Sequence, residues 1–333
     1  MHRYRVAGCC SIFLAIATML SPVNLAQGQR NDPKLFAPGI ISGPADDHSP
    51  TFTPDGKMVF FTRGNVSASA ILISTLVDGQ WSEPVIASFS GQWRDLEPSM
   101  APDGSFMVFA SNRPPTGGGR PIDGNYGGQI ASERGGNLWR IDRAGNQWSE
   151  PHRLPETVNA SSATFSPSVA SDGSIYFMRA DSGTGNFHLY RSQYQNGTYL
   201  DAARLAIGDD TTEDVDPAVS PDEKFMVYSS NHPEKHDPRR LRIIFRDKHD
   251  WGQPIDLGDE VNEQGSNIEA RLGPDHVTLY FSTNTVPPVS FPRSREQAQH
   301  WLKQTEVWAN GRQNIWYVSL KPWLDEHLGA ATK

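Results

Sequence analysis

The sequence contains almost no cysteine, and this absence rules out several kinds of chemistry. Of its 333 residues only two are cysteines, Cys9 and Cys10, and both lie in the first segment of the chain. If that segment is removed, the remaining protein has no thiol for a disulfide, a cysteine nucleophile or a cysteine-based metal site. The fold must then be stabilised by packing alone, which a chain of about 300 residues can supply.

Long apolar runs are also absent, except near the N-terminus. Residues 1–28 contain the basic residues Arg3 and Arg5, then an apolar stretch over residues 6–20, then the small-residue end Ala26-Gln27-Gly28. This order is typical of a signal peptide and predicts a periplasmic or secreted protein. Because no later run is long enough to span a bilayer, we expect no membrane insertion after the signal peptide is cleaved.

Positive charge is scarce. The chain has 30 Lys and Arg against 38 Asp and Glu, a formal net charge of −8, and the loss of Arg3 and Arg5 with the signal peptide takes it to −10. A net negative charge argues against nucleic acid or an anionic membrane as the partner. We expect a monomer whose partner is a protein or a glycan ligand.

The motifs of common enzyme and cofactor sites are missing as well. The sequence has no G-x-S-x-G, no Walker or dinucleotide motif and no HExxH. His232, His236 and His249 lie close in sequence but lack the spacing of metal ligands, and the acidic run over residues 209–216 lacks the spacing of an EF-hand loop. We expect no cofactor and no metal site here; Ca²⁺ bound by carboxylates remains the open alternative.

What the sequence does contain is one pattern repeated five times. Each copy has an extended segment, usually with a proline, a turn similar to Pro-Asp-Gly and an aromatic strand. The copies are SPTFTPDGKMVFFT from Ser49, EPSMAPDGSFMVFAS from Glu97, SPSVASDGSIYFM from Ser166, DPAVSPDEKFMVYSS from Asp216 and EARLGPDHVTLYFS from Glu269. Their turn aspartates are 48, 69, 50 and 53 residues apart, which is in the range of four-stranded propeller blades. The pattern predicts an all-β fold, a single β-propeller of antiparallel blades, with five blades favoured and six as the alternative.

Each copy supplies strands a and b as a hairpin, followed by a short apolar strand c and a fourth run that opens with an aromatic residue. Trp81, Trp148 and Trp251 open that run in three blades, so we expect them to pack on the outer strand, strand d. The fifth blade lacks such a run, and residues 36–41 are expected to complete it and to close the ring. The predicted propeller spans residues 29–323, with repeats near 47–90, 95–157, 164–207, 214–258 and 267–320, followed by a tail over residues 324–333.

Two of the copies carry a more specific signature. The segments from Glu97 to Ser111 and from Asp216 to Ser230 follow the string E/D-P-x-x-S-P-D-G with one departure each, Ala101 in the first and Glu223 in the second, and then end in an aromatic strand. This string resembles the WD40-like (PD40) repeat of the TolB family of periplasmic propellers, and the resemblance covers residues 36–320. It implies a β-propeller in a bacterial envelope that often serves as a platform for protein binding, and it implies no particular activity.

Function is expected on the face where the a strands enter the central channel, because the loops between strands b and c open there. Two of these loops, residues 112–136 and 285–313, are unusually long, and the second contains a predicted helix near residues 295–303. At the channel entrance each blade offers two positions that are two residues apart and so are expected to face the same side. The pairs are Asp47 and Ser49, Asp95 and Glu97, Thr164 and Ser166, Asp214 and Asp216, and Asn267 and Glu269.

These positions predict a mostly acidic ring at the channel mouth, with two interpretations. The ring could form a binding pocket whose crowded carboxylates have raised pKa values or hold Ca²⁺. Alternatively, the carboxylates could be architectural and accept hydrogen bonds from loop amides. His48, Trp93 and Arg271 are not explained by the repeat, which makes them the stronger site candidates. The candidate binding residues are Asp47, His48, Trp93, Asp95, Glu97, Asp214, Asp216, Glu269 and Arg271.

Two functions fit these candidates. We favour a binding module that uses its loop-rich face and acidic channel mouth, because the sequence shows no motif specific to catalysis. The alternative is a glycan hydrolase or lyase that uses two of the carboxylates as acid and base. Carboxylates about 5 to 9 Å apart beside an aromatic platform would favour the enzyme. Carboxylates tied to backbone amides would favour the binding module.

Overall fold

The computed structural model describes residues 31–329, apart from residues 117, 146, 209–210, 249, 264 and 287. The predicted signal peptide therefore lies outside the described residues, as do His249 and the end of the predicted tail. None of the helices among the described residues is long and apolar enough to cross a membrane.

The repeats form a closed five-bladed β-propeller, which confirms the predicted fold. Strand a of blades 1 to 5 spans Asp47–Phe52, Asp95–Met100, Thr164–Val169, Glu213–Val219 and Ile268–Leu272. Strand b spans Met58–Gly64, Phe106–Ser111, Ile175–Ala180, Phe225–Asn231 and Thr278–Thr283. Strand c spans Ser69–Val77, Asn137–Ala144, Phe187–Ser192, Arg240–Asp247 and Asn314–Ser319. All neighbouring strands within a blade pair antiparallel, as the hairpin turns require.

The outer strand d is shorter and more broken than the sequence suggests. It consists of Val85–Ile86, His152–Arg153, Ala203–Arg204 and Ile255–Asp256 in blades 1 to 4. The aromatic residue that opens each run lies just before it, in the short pairs Gln80–Trp81, Gln147–Trp148, Tyr194–Gln195 with Thr198–Tyr199, and Asp250–Trp251. The proline or turn residues between the two pieces interrupt the pairing.

The ring closes through the N-terminal segment, as predicted, but with a different strand. Lys34–Leu35 pairs with strand c of blade 5, opposite Tyr317 and Trp316. The predicted strand over residues 36–41 ends at once, because Ala37 has a left-handed φ of 43° and turns the chain. Phe36 instead points into the core between blades 5 and 1, where its ring meets Phe52 at a centroid distance of 5.8 Å.

The core consists of apolar layers between neighbouring blades. Between blades 1 and 2, for example, Phe60 packs with Phe109 and Trp139, and Trp148 meets the Phe60 ring edge-on at 6.0 Å. Trp81 and Trp251 pack against two other layers, so the expected packing role of these three tryptophans is confirmed. Burial of each large apolar side chain stabilises the fold by about 1.5–3 kcal/mol.

The two long loops lie on one face. The loop in blade 2 contains a small hairpin, Gly124–Tyr126 paired with Gln129–Ala131, which we call the blade 2 hairpin. The loop in blade 5 contains an α-helix over Arg295–Val307, which confirms the predicted helix and begins with a capping box at Ser294. The other helical segments are Asp259–Asn262, Lys321–Leu328 and the 3₁₀ turn Pro233–Lys235.

Candidate functional site at the channel mouth

Every strand a is interrupted by a bulge at the same place. The pairing of strands a and b shifts register in all five blades, for example between His48 and Thr51. The residue at the second entrance position has a left-handed backbone in each blade: φ is 51° at Ser49, 55° at Glu97, 48° at Ser166, 57° at Asp216 and 61° at Glu269. A bulge changes the direction in which a side chain points. The two entrance positions of a blade therefore do not face the same side, as they would in a regular alternating strand.

The aspartates at the first entrance position are tied within their own blades. Asp47 accepts a hydrogen bond from Arg63 at 2.6 Å, and Asp95 pairs with Arg113 at 2.8 Å. Asp214 accepts hydrogen bonds from two hydroxyl groups. These three candidates therefore serve the architecture of each blade.

The carboxylates at the second position converge from three blades. Oxygen atoms of Glu97, Asp216 and Glu269 lie within 4.8 Å of one another, and all three residues are buried. Glu97 Oε2 accepts a hydrogen bond from Ser166 N at 2.6 Å, and Asp216 Oδ2 accepts one from Glu269 N at 2.9 Å. These two carboxylates join their blade to the next one, which fits the architectural interpretation.

Glu269 departs from this pattern. The blade that follows it around the ring is blade 1, and there its Oε1 lies 3.2 Å from Nδ1 of His48. Its second oxygen, Oε2, is buried and has no hydrogen-bond partner among the described residues. Glu269 is thus the carboxylate of the cluster with unused hydrogen-bonding capacity.

Burial and neighbouring charges shift the pKa values of the residues in the cluster in opposite directions. Burial, together with the charges of Glu269 and Asp216, raises the pKa of Glu97 to about 8. Burial alone would raise the pKa of Glu269, but the charge and hydrogen bond of His48 and the charge of Arg271 hold it below its ordinary value. Burial would likewise lower the pKa of His48, yet Glu269 raises it to about 9. Near neutral pH, Glu97 is therefore protonated, whereas Glu269 and His48 form an ion pair.

Arg271 supplies the second cation of the channel. Its Nη2 donates to Ser166 Oγ across the channel at 3.1 Å, and its Nη1 donates to the carbonyl of Ala270 at 2.7 Å. Its charge lowers the pKa of both Glu97 and Asp216 against the effect of burial.

The three carboxylates offer ligand atoms for a metal ion, but their surroundings do not fit Ca²⁺ well. Ca²⁺ takes six to eight oxygen ligands in flexible geometry. Here one oxygen each of Glu97 and Asp216 is committed to a backbone amide, and Glu269 is paired with a protonated His48. Two cations already balance the cluster, so Ca²⁺ would have to displace His48 from Glu269.

A cleft of about 390 Å³ opens from this cluster toward the loop-rich face. His48, Glu97 and Glu269 line its buried end. Its walls are mostly apolar and consist of Leu96, Tyr126, Phe165, Met178, Phe187 and Ile268. Polar residues at the cleft include Asp46, Asn65, Arg94 and Gln313. The cleft thus combines an aromatic wall with three buried groups, the protonated Glu97, the ionised Glu269 and the imidazolium of His48.

Two further sequence candidates, Arg271 and Trp93, do not line this cleft. Arg271 lines a smaller cavity of about 150 Å³ at the opposite end of the channel, among the proline-containing turns between strands a and b. Trp93 is half-buried in the connection between blades 1 and 2, and the cleft is lined by its neighbour Arg94 instead.

Sequence reasoning did not identify several residues of the cleft. Arg94 donates to the carbonyl of Gly135 at 2.9 Å and lies 5.9 Å from the centre of the Phe165 ring. Tyr126 comes from the blade 2 hairpin, and its ring lies 6.0 Å from that of Phe187. The unusual length of residues 112–136 was the available signal for Tyr126. The aromatic residues at 165 and 187 carried no signal, because they resemble ordinary strand residues.

No protein-family model and no curated protein matches this chain. Its structure is similar to a thermostable family-43 glycoside hydrolase, with a TM-score of 0.51 and 9% identity over 84% of this chain and 91% of the other. It is also similar to a GH62 hydrolase in complex with xylotriose, with a TM-score of 0.50 and 11% identity over 86% of this chain and 97% of the other. TolB from Acinetobacter baumannii aligns with a TM-score of 0.47 and 15% identity over 83% of this chain, which spans 55% of that protein. At these identities the likeness concerns the fold alone.

Proposed function

We propose that this protein is an exported binding module that holds its ligand in the cleft at the channel mouth. The observation that supports this proposal is the cleft itself, which joins an aromatic wall to the buried Glu97, Glu269 and His48. Its wall residue Tyr126 comes from a loop that the repeat does not need. Ligand sites in proteins are typically apolar clefts with a few placed polar groups, and this cleft has that composition.

The state of the carboxylates favours binding over catalysis. Three of the carboxylates form ion pairs or hydrogen bonds within their own blades: Asp47, Asp95 and Asp214. Two others, Glu97 and Asp216, each accept a hydrogen bond from a backbone amide of the next blade. This arrangement was the expected mark of an architectural ring. Glu269 lines the cleft, and its Oε2, which has no hydrogen-bond partner among the described residues, is left to accept a hydrogen bond from a ligand.

The partner class proposed is a glycan or a protein side chain that packs on Tyr126 and Phe165 and donates a hydrogen bond to Glu269. Aromatic faces suit both the apolar face of a sugar ring and an aromatic or aliphatic side chain. A volume of about 390 Å³ admits a ligand of this size.

Calorimetry of the mature protein with neutral oligosaccharides, including xylotriose, and with a random peptide mixture tests the proposal. Saturable binding is expected, and Glu269→Gln and Tyr126→Ala are expected to weaken it at least tenfold. Lys57→Gln, on the opposite face, is the matched control and should leave the affinity unchanged. Binding that neither site variant alters would place the ligand elsewhere and contradict the proposal.

A second candidate function is glycoside hydrolysis, and one observation favours it. Glu97 and Glu269 have pKa values shifted in opposite directions, and their oxygens lie within 4.8 Å. Retaining glycosidases also use a protonated and an ionised carboxyl group that lie close together, about 5 to 5.5 Å apart. In that role Glu97 would protonate the leaving oxygen and Glu269 would act as nucleophile.

Release of nitrophenol from a panel of nitrophenyl pentosides and hexosides separates the two functions. The hydrolase predicts turnover that falls about 10²–10⁴-fold in Glu97→Gln, because the proton donor is lost. Binding without turnover in the wild type would leave the binding module as the function.

A further inference from the structure

Arg179 occupies the place in blade 3 that Arg63 occupies in blade 1, but its surroundings differ. In blade 1, Arg63 lies opposite Asp47 in the strand pair and forms an ion pair with it. In blade 3, Arg179 lies opposite Thr164 in the same register. A threonine therefore stands where blade 1 has the aspartate that neutralises the arginine.

The hydroxyl of Thr164 does not replace that partner, because it donates to the carbonyl of Ser161 at 3.0 Å. The Arg179 guanidinium instead lies over the ring of Tyr190, with Cζ 3.9 Å from the ring centre. Tyr190 in turn stacks on Phe177, with ring centroids 6.0 Å apart. Among the described residues, the Arg179 side chain has no carboxylate partner and no hydrogen bond, yet this stack restricts its orientation.

The guanidinium lines a cavity of about 400 Å³ on the loop-rich face. Ser161, Ser162, Ser182 and Asn125 also line the cavity. Asn125 belongs to the blade 2 hairpin and is adjacent to Tyr126 of the mouth cleft, so the hairpin contributes to both cavities. Hydroxyl and amide groups around a fixed guanidinium provide several hydrogen-bond donors for an oxyanion.

One acidic residue, Asp181, lines the same cavity and limits the charge of the ligand. Its Oδ1 accepts hydrogen bonds from the backbone of Gly183 and Thr184, both at 2.9 Å, which hold the carboxylate in place. A negative charge that lines the same cavity penalises a dianion more than a monoanion. The planar fork of an arginine also matches a carboxylate in bidentate geometry.

We propose that the Arg179 cavity is a binding site for a carboxylate group. The carboxylate is carried by an acidic sugar or by an acidic peptide, and Arg179 supplies the charge that recognises it. The site is separate from the mouth cleft, and its occupation does not require that the proposed function of the cleft is correct.

Titration of the mature protein with galacturonate, trigalacturonate and an acetylated Asp-Glu peptide, followed by NMR or calorimetry at low salt, tests this site. At least one carboxylate probe is expected to bind saturably and more tightly than sulfate. The sugar and the peptide probes distinguish the two sources of the carboxylate. Arg179→Gln is expected to weaken that binding tenfold or more.

Two further variants make the test specific. Thr164→Asp recreates the blade 1 arrangement and should weaken binding to a similar degree by pairing with Arg179, while the arginine is still present. Lys57→Gln removes one positive charge from the opposite face and should have no effect. The proposal is overturned if no carboxylate probe binds, if Arg179→Gln binds normally, or if the control loses as much affinity as the site variants. Glu269→Gln should leave this binding intact, so failure here is distinguishable from failure of the mouth cleft.

Discussion

Two glutamates at equivalent positions of different blades show how strongly the surroundings determine a residue's chemistry. Glu97 and Glu269 both lie in the bulge of strand a, and both are buried. Glu97 faces the other carboxylates of the cluster, which disfavour its ionisation, whereas Glu269 faces the imidazole of His48. The repeat predicted that both would be at the channel mouth, but it contains no information about which would have a cation beside it.

The cluster predicts that the fold loses stability as the pH rises above neutrality. The pKa of His48 is raised from 6.5 to about 9, so the folded state keeps a proton that the unfolded chain releases. Glu97, raised from 4.5 to about 8, acts in the same direction. Both contributions are complete below the unfolded pKa and are lost as the pH rises through the folded pKa. The His48 contribution to the free energy of unfolding should fall between pH 6.5 and 9, and the Glu97 contribution between pH 4.5 and 8, each by up to about 1.4 kcal/mol per pH unit.

Urea unfolding at pH 6.5, 8 and 9.5 measures this dependence. Glu97→Gln is the matched variant, because its amide oxygen still accepts from Ser166 N but does not titrate. Its stability should change less between pH 6.5 and 8 than that of the wild type. Equal slopes for the two proteins would show that Glu97 does not hold its proton in the folded state.

At the scale of single elements, the blade 2 hairpin is positioned by a close backbone contact. Gly127 has a φ of 64°, and a Cβ at this position would lie 2.5 Å from Gly185 N and 2.7 Å from the Thr184 carbonyl carbon. The hairpin thus rests on the loop between strands b and c of blade 3, and this contact places Tyr126 at the cleft. The sequence identified the loop by its length and glycines, but it could not show that one glycine makes a contact and its neighbour does not.

Gly127→Ala is therefore expected to displace the hairpin and to weaken ligand binding in the cleft at least tenfold. Gly128→Ala is the control, since Gly128 also has a left-handed φ, of 87°, but its Cβ would meet nothing within 4 Å. Calorimetry and thermal unfolding of both variants separate displacement of the hairpin from backbone strain, because a strain of about 1 kcal/mol should be common to both variants. Similar affinities in the two variants would mean that the hairpin contact does not position the cleft wall.

For the whole molecule, the five copies predicted the ring, its blade number and its closure by the N-terminal segment. The turn aspartates and aromatic strands were sufficient because each blade repeats the same local chemistry. The closing strand lies a few residues earlier than the sequence predicts, because Phe36 is a good strand residue whose burial between blades 5 and 1 only the assembled ring reveals. The site was less predictable for the same reason. The five equivalent positions differ only in which residues lie across the channel from them. The bulge that turns their side chains also cannot be recognised from the alternation of residues along the strand.

Closure of the ring gives the last prediction. The Phe36 ring meets Trp81 at 5.6 Å and Tyr280 at 5.2 Å, so one residue of the N-terminal segment links blades 5 and 1. Phe36→Ala should lower the free energy of unfolding by about 3–5 kcal/mol, because it leaves a cavity at the joint. Phe291→Ala, at a side chain that is 78% exposed, is the matched control and should change it by less than about 0.5 kcal/mol. Chemical unfolding followed by tryptophan fluorescence and by circular dichroism measures both, and a small loss in Phe36→Ala would show that the ring does not depend on this joint.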